Sequence, residues 1–352
     1  MKTLKKIALT LVATSALVAS LNARDQIKIV GSSTVYPFSS AVAKELSATT
    51  SYPTPIVEST GSGGGMKLFC AGNGMNTPDI TNASRRMKIS EFKFCKRNGV
   101  RDITEAVIGF DGIAFAHAKS NPHFSLTKKQ LLLAVAAEVP SKDGSYLVKN
   151  PYTNWSQIDS SLPNREIIIY GPPRSSGTRD AFEDMILKGQ TKKMSVYTSL
   201  YKANKVRNKA YKKYKKIRTD GVYVPSGEND NLIVKKLNKN KAAFGIFGYS
   251  FLMENDDKVQ GAKVNGVLPT PESISSGKYP ISRSLFFYTK NSHRTKVLAM
   301  SKYIKLFMSE NMIGKDGTLG KIGLIALSDA QRARLRKSVV KKTRLTLEDL
   351  SH

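Results

Sequence analysis

The chain is poor in the residues from which metal centres and catalytic triads are built. Its 352 residues include two cysteines, four histidines and one tryptophan. The two cysteines and the scattered histidines show no metal-ligand spacing. His117, His123, His293 and His352 stand in no signature that pairs a histidine base with a nucleophile, and there is no Gly-x-Ser-x-Gly elbow. The run Gly61-Ser62-Gly63-Gly64-Gly65-Met66-Lys67 lacks the Gly-Lys-Ser/Thr ending of a P-loop, and Met66 occupies the third-glycine position of a dinucleotide fingerprint. The sequence therefore nominates no catalytic residue, no metal and no cofactor. Acidic residues are scarce as well: 27 against 56 lysines and arginines, for a net charge of +29. That balance suits anionic partners such as phosphate, nucleic acid or an anionic envelope surface. The bases are spread along the chain, which favours a generally basic solvated surface over one binding motif.

Long apolar runs are absent beyond the first two dozen residues. Lys2, Lys5 and Lys6 precede an uncharged stretch from Ile7 to Leu21, and Leu21-Asn22-Ala23 offers a small-residue cleavage site. This is the layout of a signal peptide over residues 1–23, with Arg24 as the first mature residue. The stretch is shorter than the ~20 residues of a spanning helix. The expected location is the periplasm. No cysteine lies near the cleavage point to carry a lipid. In an oxidising compartment Cys70 and Cys95 can form a disulfide, worth ~2–4 kcal/mol.

What is present is a recurring unit of strand, small hydroxyl-rich turn and helix. Gln26–Val30 alternates as a strand and runs into Gly31-Ser32-Ser33-Thr34, followed by a helical pattern through Ala41, Val42 and Leu46. Pro55–Glu58 leads into Ser59-Thr60-Gly61-Ser62-Gly63, then Met66, Phe69 and Cys70 on one helical face. Glu166–Tyr170 reads as a buried strand before Gly171-Pro172-Pro173-Arg174-Ser175-Ser176-Gly177-Thr178 and a helix. Further strands are expected at Val107–Phe115, Ala242–Tyr249 and Ser284–Tyr288, with helices at Leu126–Val135 and around Ile304–Met308. Strands alternating with helices make this an α/β protein. Each helix start offers amides with no intrahelical partner, reinforced by the helix dipole, and hydroxyls that donate or accept. Three such turns suggest an anion site; ordinary helix capping is the alternative. Two basic stretches, 188–218 and Gln331–Lys342, are expected as solvated decoration.

Seven short motifs occur in a fixed order: Gly31-Ser32-Ser33-Thr34-Val35-Tyr36-Pro37, Gly61–Lys67, Asn82-Ala83-Ser84-Arg85, Ser175-Ser176-Gly177-Thr178, Glu228-Asn229-Asp230-Asn231, Phe244–Tyr249 and Tyr279-Pro280-Ile281-Ser282-Arg283. In this order they resemble the substrate-binding protein of the phosphate-specific ABC transporter, the PstS family. The resemblance implies a two-lobed periplasmic binding protein fold of type II, with the ligand between lobes joined by two crossings. It implies a first lobe from 24–115 and 249–352 and a second from 116–248. It implies binding of inorganic phosphate by a monomer that hands it to a membrane permease, with no specific nucleic acid. The ligand donors it implies are Thr34 and the Val35 amide, Ser62, and Ser176, Gly177 and Thr178, with Ser33, Gly63 and Ser175 beside them.

Two departures bear on selectivity. The family's aspartate after Ala-Ser is here Arg85, and its arginine before Ser-Gly-Thr is here Pro172. Arg85 is a candidate bidentate phosphate ligand, the alternatives being exposure to solvent or pairing with an acid. Arg86 and Arg179 are further candidates, and Asp230 a candidate acceptor for a phosphate proton. A binder of another oxyanion or phosphorylated small molecule, a basic surface or nucleic-acid-binding protein, and a secreted phosphatase are the rival readings.

Overall fold

The computed structural model describes residues 24, 26–174, 176–206, 216–227 and 231–351. The expected signal peptide lies outside them. No helix among the described residues is long and apolar enough to cross a membrane. The chain divides into two compact units. Unit 1 comprises the described residues up to Ile108, Leu285–Gly314 and the chain from Ser328; unit 2 comprises Gly109–Ser284 and Lys315–Leu327.

Unit 1 is built on β1 (Lys28–Gly31), β2 (Ile56–Ser59) and β3 (Ile80–Ala83), with β1 central and parallel to both. Helix α1 (Tyr36–Thr49) follows β1 and α2 (Gly61–Phe69) follows β2; α3 (Ile89–Arg97) comes after β3. Pro37 suits the first turn of α1, where its missing N–H costs nothing. Phe38, Ser39, Val42, Ala43 and Leu46 form the buried stripe of α1, spaced as one helical face. Cys70, which ends α2, is disulfide-bonded to Cys95 of α3. Both cysteines sit in a core with Met66, Phe69, Phe92, Ile103 and Tyr288.

Strand β4 (Ile103–Ala118) begins in unit 1 and continues in unit 2. Unit 2 adds α4 (Lys128–Val135), β5 (Ile169–Gly171), α5 (Gly177–Phe182), β6 (Tyr223–Pro225), α6 (Asn231–Lys239), β7 (Phe244–Gly248) and β8 (Val259–Gly261). Its sheet is mixed: β7 runs antiparallel to β4 and parallel to β5, and β5 is parallel to β6. The core centres on Phe115, Phe124, Trp155 and Phe244, with the Phe115 and Phe244 rings stacked at 4.9 Å. Strand β9 (Ser282–Lys290) leads back to unit 1, where it pairs antiparallel with β3. Helices α7 (Leu298–Phe307) and α8 (Asp329–Val340) complete unit 1.

The α/β class holds, but several local expectations need correction. Residues 249–284 belong to unit 2, because β8 pairs with β4 and Lys263–Val264 with Ser125–Leu126. A second excursion, Lys315–Leu327, adds two passages of the chain to the two expected; Phe110 and Ile325 exchange backbone hydrogen bonds of 2.8 and 2.9 Å within unit 2. The apolar run from Glu166 yields a strand only at Ile169–Gly171; Glu166 makes an isolated bridge to Asn154. Trp155–Ile158, for which no element was expected, is a short helix with Asn154 capping Ser156.

The two basic stretches are less peripheral than their composition suggests. In the first, Thr191 and Tyr197 are buried, and Arg218 is buried while bonding Ala134 O, Tyr152 O and the Asp220 carboxylate. Residues 207–215 of that stretch lie outside the described residues. In the second, Arg332 is buried and paired with Glu310 and Asp329.

Candidate functional site

In unit 1 the register of three parallel strands decides where the site elements lie. Gly31 stands opposite Ser59 on one side and Asn82 on the other, so β1, β2 and β3 finish at one edge. From that edge start the turn into α1, the turn into α2, and the Ser84-Arg85 corner. Backbone bonds pin them together: Ser32 N–H donates to Asn82 O at 3.0 Å and Thr60 N–H to Gly31 O at 2.9 Å. Gly65 lets α2 lie directly on β1; a Cβ there would sit 2.5 Å from Gly31 Cα and 2.7 Å from Thr81 Oγ1. The backbone thus approaches where no side chain fits.

At the start of α1, Thr34 N–H donates to Ser32 Oγ at 3.2 Å and Tyr36 N–H to Ser32 O at 3.0 Å. Ser33 and Thr34 are half-buried and Val35 is buried. At the start of α2, Ser62 is half-buried and Gly63 exposed. Ser62 Oγ accepts the Ser84 N–H at 3.1 Å and lies 3.3 Å from Ser84 Oγ. Beneath them Asn82 is buried and donates from Nδ2 to Ser39 Oγ at 3.0 Å, and that hydroxyl shares a 2.8 Å bond with Tyr303 OH. This buried chain ties the site's floor to α1 and α7.

Arg85 lies at the same edge: a Cβ at Gly63 would be 3.9 Å from its Nη2. Its guanidinium forms a fork with Glu91 of α3, Nη2 to Oε1 at 2.6 Å and Nη1 to Oε2 at 2.9 Å, and Nη1 also reaches Arg86 O at 3.1 Å. Glu91 Oε2 further accepts the Lys88 N–H at 2.9 Å, closing the start of α3. Burial pushes the Glu91 carboxyl up, but the bonds from Arg85 and Lys88 more than offset it and hold the group below its usual range. Arg86 is paired with Glu105 instead, at 2.9 Å. Glu105 also accepts from Tyr288 OH at 2.8 Å. The Glu105 hydrogen bond raises the Arg86 pKa against the cost of burial.

The third turn belongs to unit 2. Ser176 Oγ accepts the Thr178 N–H at 3.2 Å, capping α5, whose helix continues through a π turn at Glu183–Lys188. Gly177 and Thr178 are half-buried. Arg179 points into the protein, with its side chain 6% exposed. It bonds Glu183 Oε1 at 2.7 Å and Pro172 O at 3.3 Å, and stacks 4.7 Å from the Tyr223 ring centroid. Tyr223 OH also donates to Pro172 O at 2.8 Å. Arg179 therefore braces the turn after β5 from below. Ser175 and Asp230 lie outside the described residues.

Of the expected site residues, unit 1 brings together Ser33, Thr34, Val35, Ser62, Gly63 and Arg85. Arg86 and Arg179 are committed to carboxylates, as Arg85 is to Glu91. The sequence reading passed over Ser84 and Glu91. A Lys88-x-x-Glu91 spacing ahead of an amphipathic helix was the available signal for Glu91, since an acid at the third helical position reaches back to the first amides. Its partner Arg85 was not visible that way. Among the described residues, no group of three or more His, Cys, Asp or Glu side chains could hold a metal ion.

The family model described as the PBP superfamily domain matches residues 18–311. Protein SphX of Synechococcus elongatus is 32% identical over 272 residues, covering 76% of this chain and 68% of its own. Phosphate-binding protein PstS of Staphylococcus saprophyticus is 27% identical over 309 residues, covering 86% and 80%. Among solved structures, a possible phosphate binding protein from Planctomyces limnophilus matches with a TM-score of 0.71 and 27% identity, over 92% of this chain and all of that one. The chain belongs to the PBP superfamily, among the substrate-binding proteins of the PstS family.

Proposed function

We propose that this protein reversibly captures inorganic phosphate outside the cytoplasm and delivers it to the membrane permease of an ABC importer. The observation that carries the reading is the common edge of β1, β2 and β3, where two hydroxyl-rich helix starts meet Ser84 and Arg85. Helix-start amides, hydroxyls and a guanidinium all favour a small anion. The names of its relatives point the same way. No bond is made or broken, so the protein needs no catalytic group, metal or cofactor, and it acts as a monomer.

Isothermal titration of the mature chain with phosphate, sulfate, arsenate and molybdate tests this. Saturable one-to-one binding of phosphate is expected, with little dependence on salt. A basic surface or nucleic-acid binder would instead lose affinity steeply, log K falling linearly with log salt. Absence of phosphate binding, with tight uptake of another oxyanion, would reassign the ligand.

A further inference from the structure

Glu91 has no place in the ligand set implied by resemblance, yet it holds the Arg85 guanidinium in a two-point fork. Both Glu91 oxygens are engaged: Oε1 by Arg85 Nη2 at 2.6 Å, Oε2 by Arg85 Nη1 at 2.9 Å and by Lys88 N–H at 2.9 Å. Such a two-point fork fixes the plane of a guanidinium as well as its position. The corner that carries Arg85 is fixed independently, because Ser84 N–H donates to Ser62 Oγ at the first turn of α2. Held from both ends, the cation lies beside Gly63 at the helix start.

We propose that Glu91 is a positioning residue of the oxyanion site, acting through Arg85, so that unit 1 meets its ligand with a preset guanidinium. The inference rests on the phosphate reading above. Glu91 is engaged on both oxygens by Arg85 and Lys88, and Glu105 is bonded by Arg86 and Tyr288, so each arginine of the corner has its own acid. A guanidinium whose plane is set before the ligand arrives offers its remaining N–H groups without first losing side-chain freedom.

The test is titration of phosphate on the full mature chain and on Glu91→Gln, Arg85→Gln, Arg85→Lys and the Arg85→Gln/Glu91→Gln double variant. Glutamine keeps an oxygen for the Lys88 N–H, so α3 retains its start, and unchanged melting temperatures report intact folds. Glu91→Gln is expected to weaken phosphate on the order of tenfold, about 1.4 kcal/mol. Arg85→Lys keeps the charge but loses the fork and should fall between wild type and Arg85→Gln. The double variant should bind no more weakly than Arg85→Gln alone, because Glu91 has nothing left to position. Additive losses or an unchanged phosphate affinity in Glu91→Gln each overturn the inference while leaving phosphate binding intact. A wild type that takes up no phosphate overturns both.

Discussion

Adjacent glycines of α2 should respond oppositely to the same substitution. At Gly65 an added Cβ would lie 2.5 Å from Gly31 Cα, 3.0 Å from Gly31 N and 2.7 Å from Thr81 Oγ1. Two of these neighbours are strand backbone and cannot swing aside, so α2 must lift off β1 by roughly 1 Å to restore ordinary contact near 3.5–4 Å. Overpacking of this kind costs about 1–3 kcal/mol, against a helix-propensity gain of about 1 kcal/mol for alanine over glycine. A net loss of up to ~2 kcal/mol is expected for Gly65→Ala. At Gly64 the nearest atoms to a new Cβ are Thr60 Cβ at 3.6 Å and Thr60 Oγ1 at 3.8 Å, which is ordinary contact. Gly64→Ala should therefore keep the propensity gain and stabilise by up to about 1 kcal/mol. Chemical denaturation of both variants reads the sign directly. Titration with phosphate adds a second readout, because lifting α2 carries Ser62 and Gly63 away from Ser84 and Arg85. Gly65→Ala should weaken phosphate by tenfold or more, on the order of 1.4 kcal/mol, and Gly64→Ala should leave it near wild type. Equal stability and equal affinity in the two variants would refute the claim that close helix–strand approach builds this edge.

Three other perturbations have defined outcomes. Ser62→Ala removes a hydroxyl that bonds Ser84 N–H and, in the proposed function, the ligand; titration should show a loss of about 1.5–3 kcal/mol in binding, the range for a bond to a charged group. Replacing Cys70 and Cys95 together by alanine opens a crosslink with a sequence separation of 25 and should lower unit 1 stability by ~2–4 kcal/mol in denaturant titration, with both positions buried in the α2–α3 core. Lys290 is fully buried, bonding Gly72 O and Thr77 Oγ1 at 2.7 Å each, and burial lowers its pKa to about 8. Its unfolded value is higher, near 10.4, so the unfolded state holds the proton more tightly and folding stability should rise between pH 8 and about pH 10.4. That rise should be missing from Lys290→Met when both proteins are unfolded by urea across the window.

Much of unit 1 was readable because its chemistry is local. A β-branched run, a glycine, two or three hydroxyls and an amphipathic stripe specify strand, turn and helix within about 20 residues, and both α1 and α2 follow that rule. Where a single segment carried ambiguous signals, the reading slipped. Ile167 and Ile168 look like strand interior, yet pairing with β6 and β7 begins only at Ile169, because strand length is set by the partners and not by the run itself. Arg218 sits in a stretch so basic that solvent exposure was the natural expectation. Two backbone carbonyls and Asp220 instead accept its protons inside unit 2, and no local pattern announces carbonyls from residues 134 and 152.

The arginines show where sequence reasoning about an anion site runs out. A guanidinium beside a glycine-rich turn is chemically fit to bind phosphate, and by that criterion Arg85, Arg86 and Arg179 are alike. Tertiary structure separates them by what each is already bonded to. Arg179 is spent on Glu183, Pro172 O and the Tyr223 face, and its burial makes loss of that pairing costly, about 3–5 kcal/mol for an unpaired buried partner, so it serves the turn and not the ligand. Arg86 is drawn toward Glu105, which also accepts from Tyr288 OH. Arg85 is fixed by Glu91 while lying against the first turn of α2, which is the condition for a preorganised donor: its orientation is settled before the ligand arrives, and binding need not immobilise a long side chain. Selectivity among these three residues therefore depends less on the arginines than on the acids that hold them, and those acids lie four to 19 residues away along the chain.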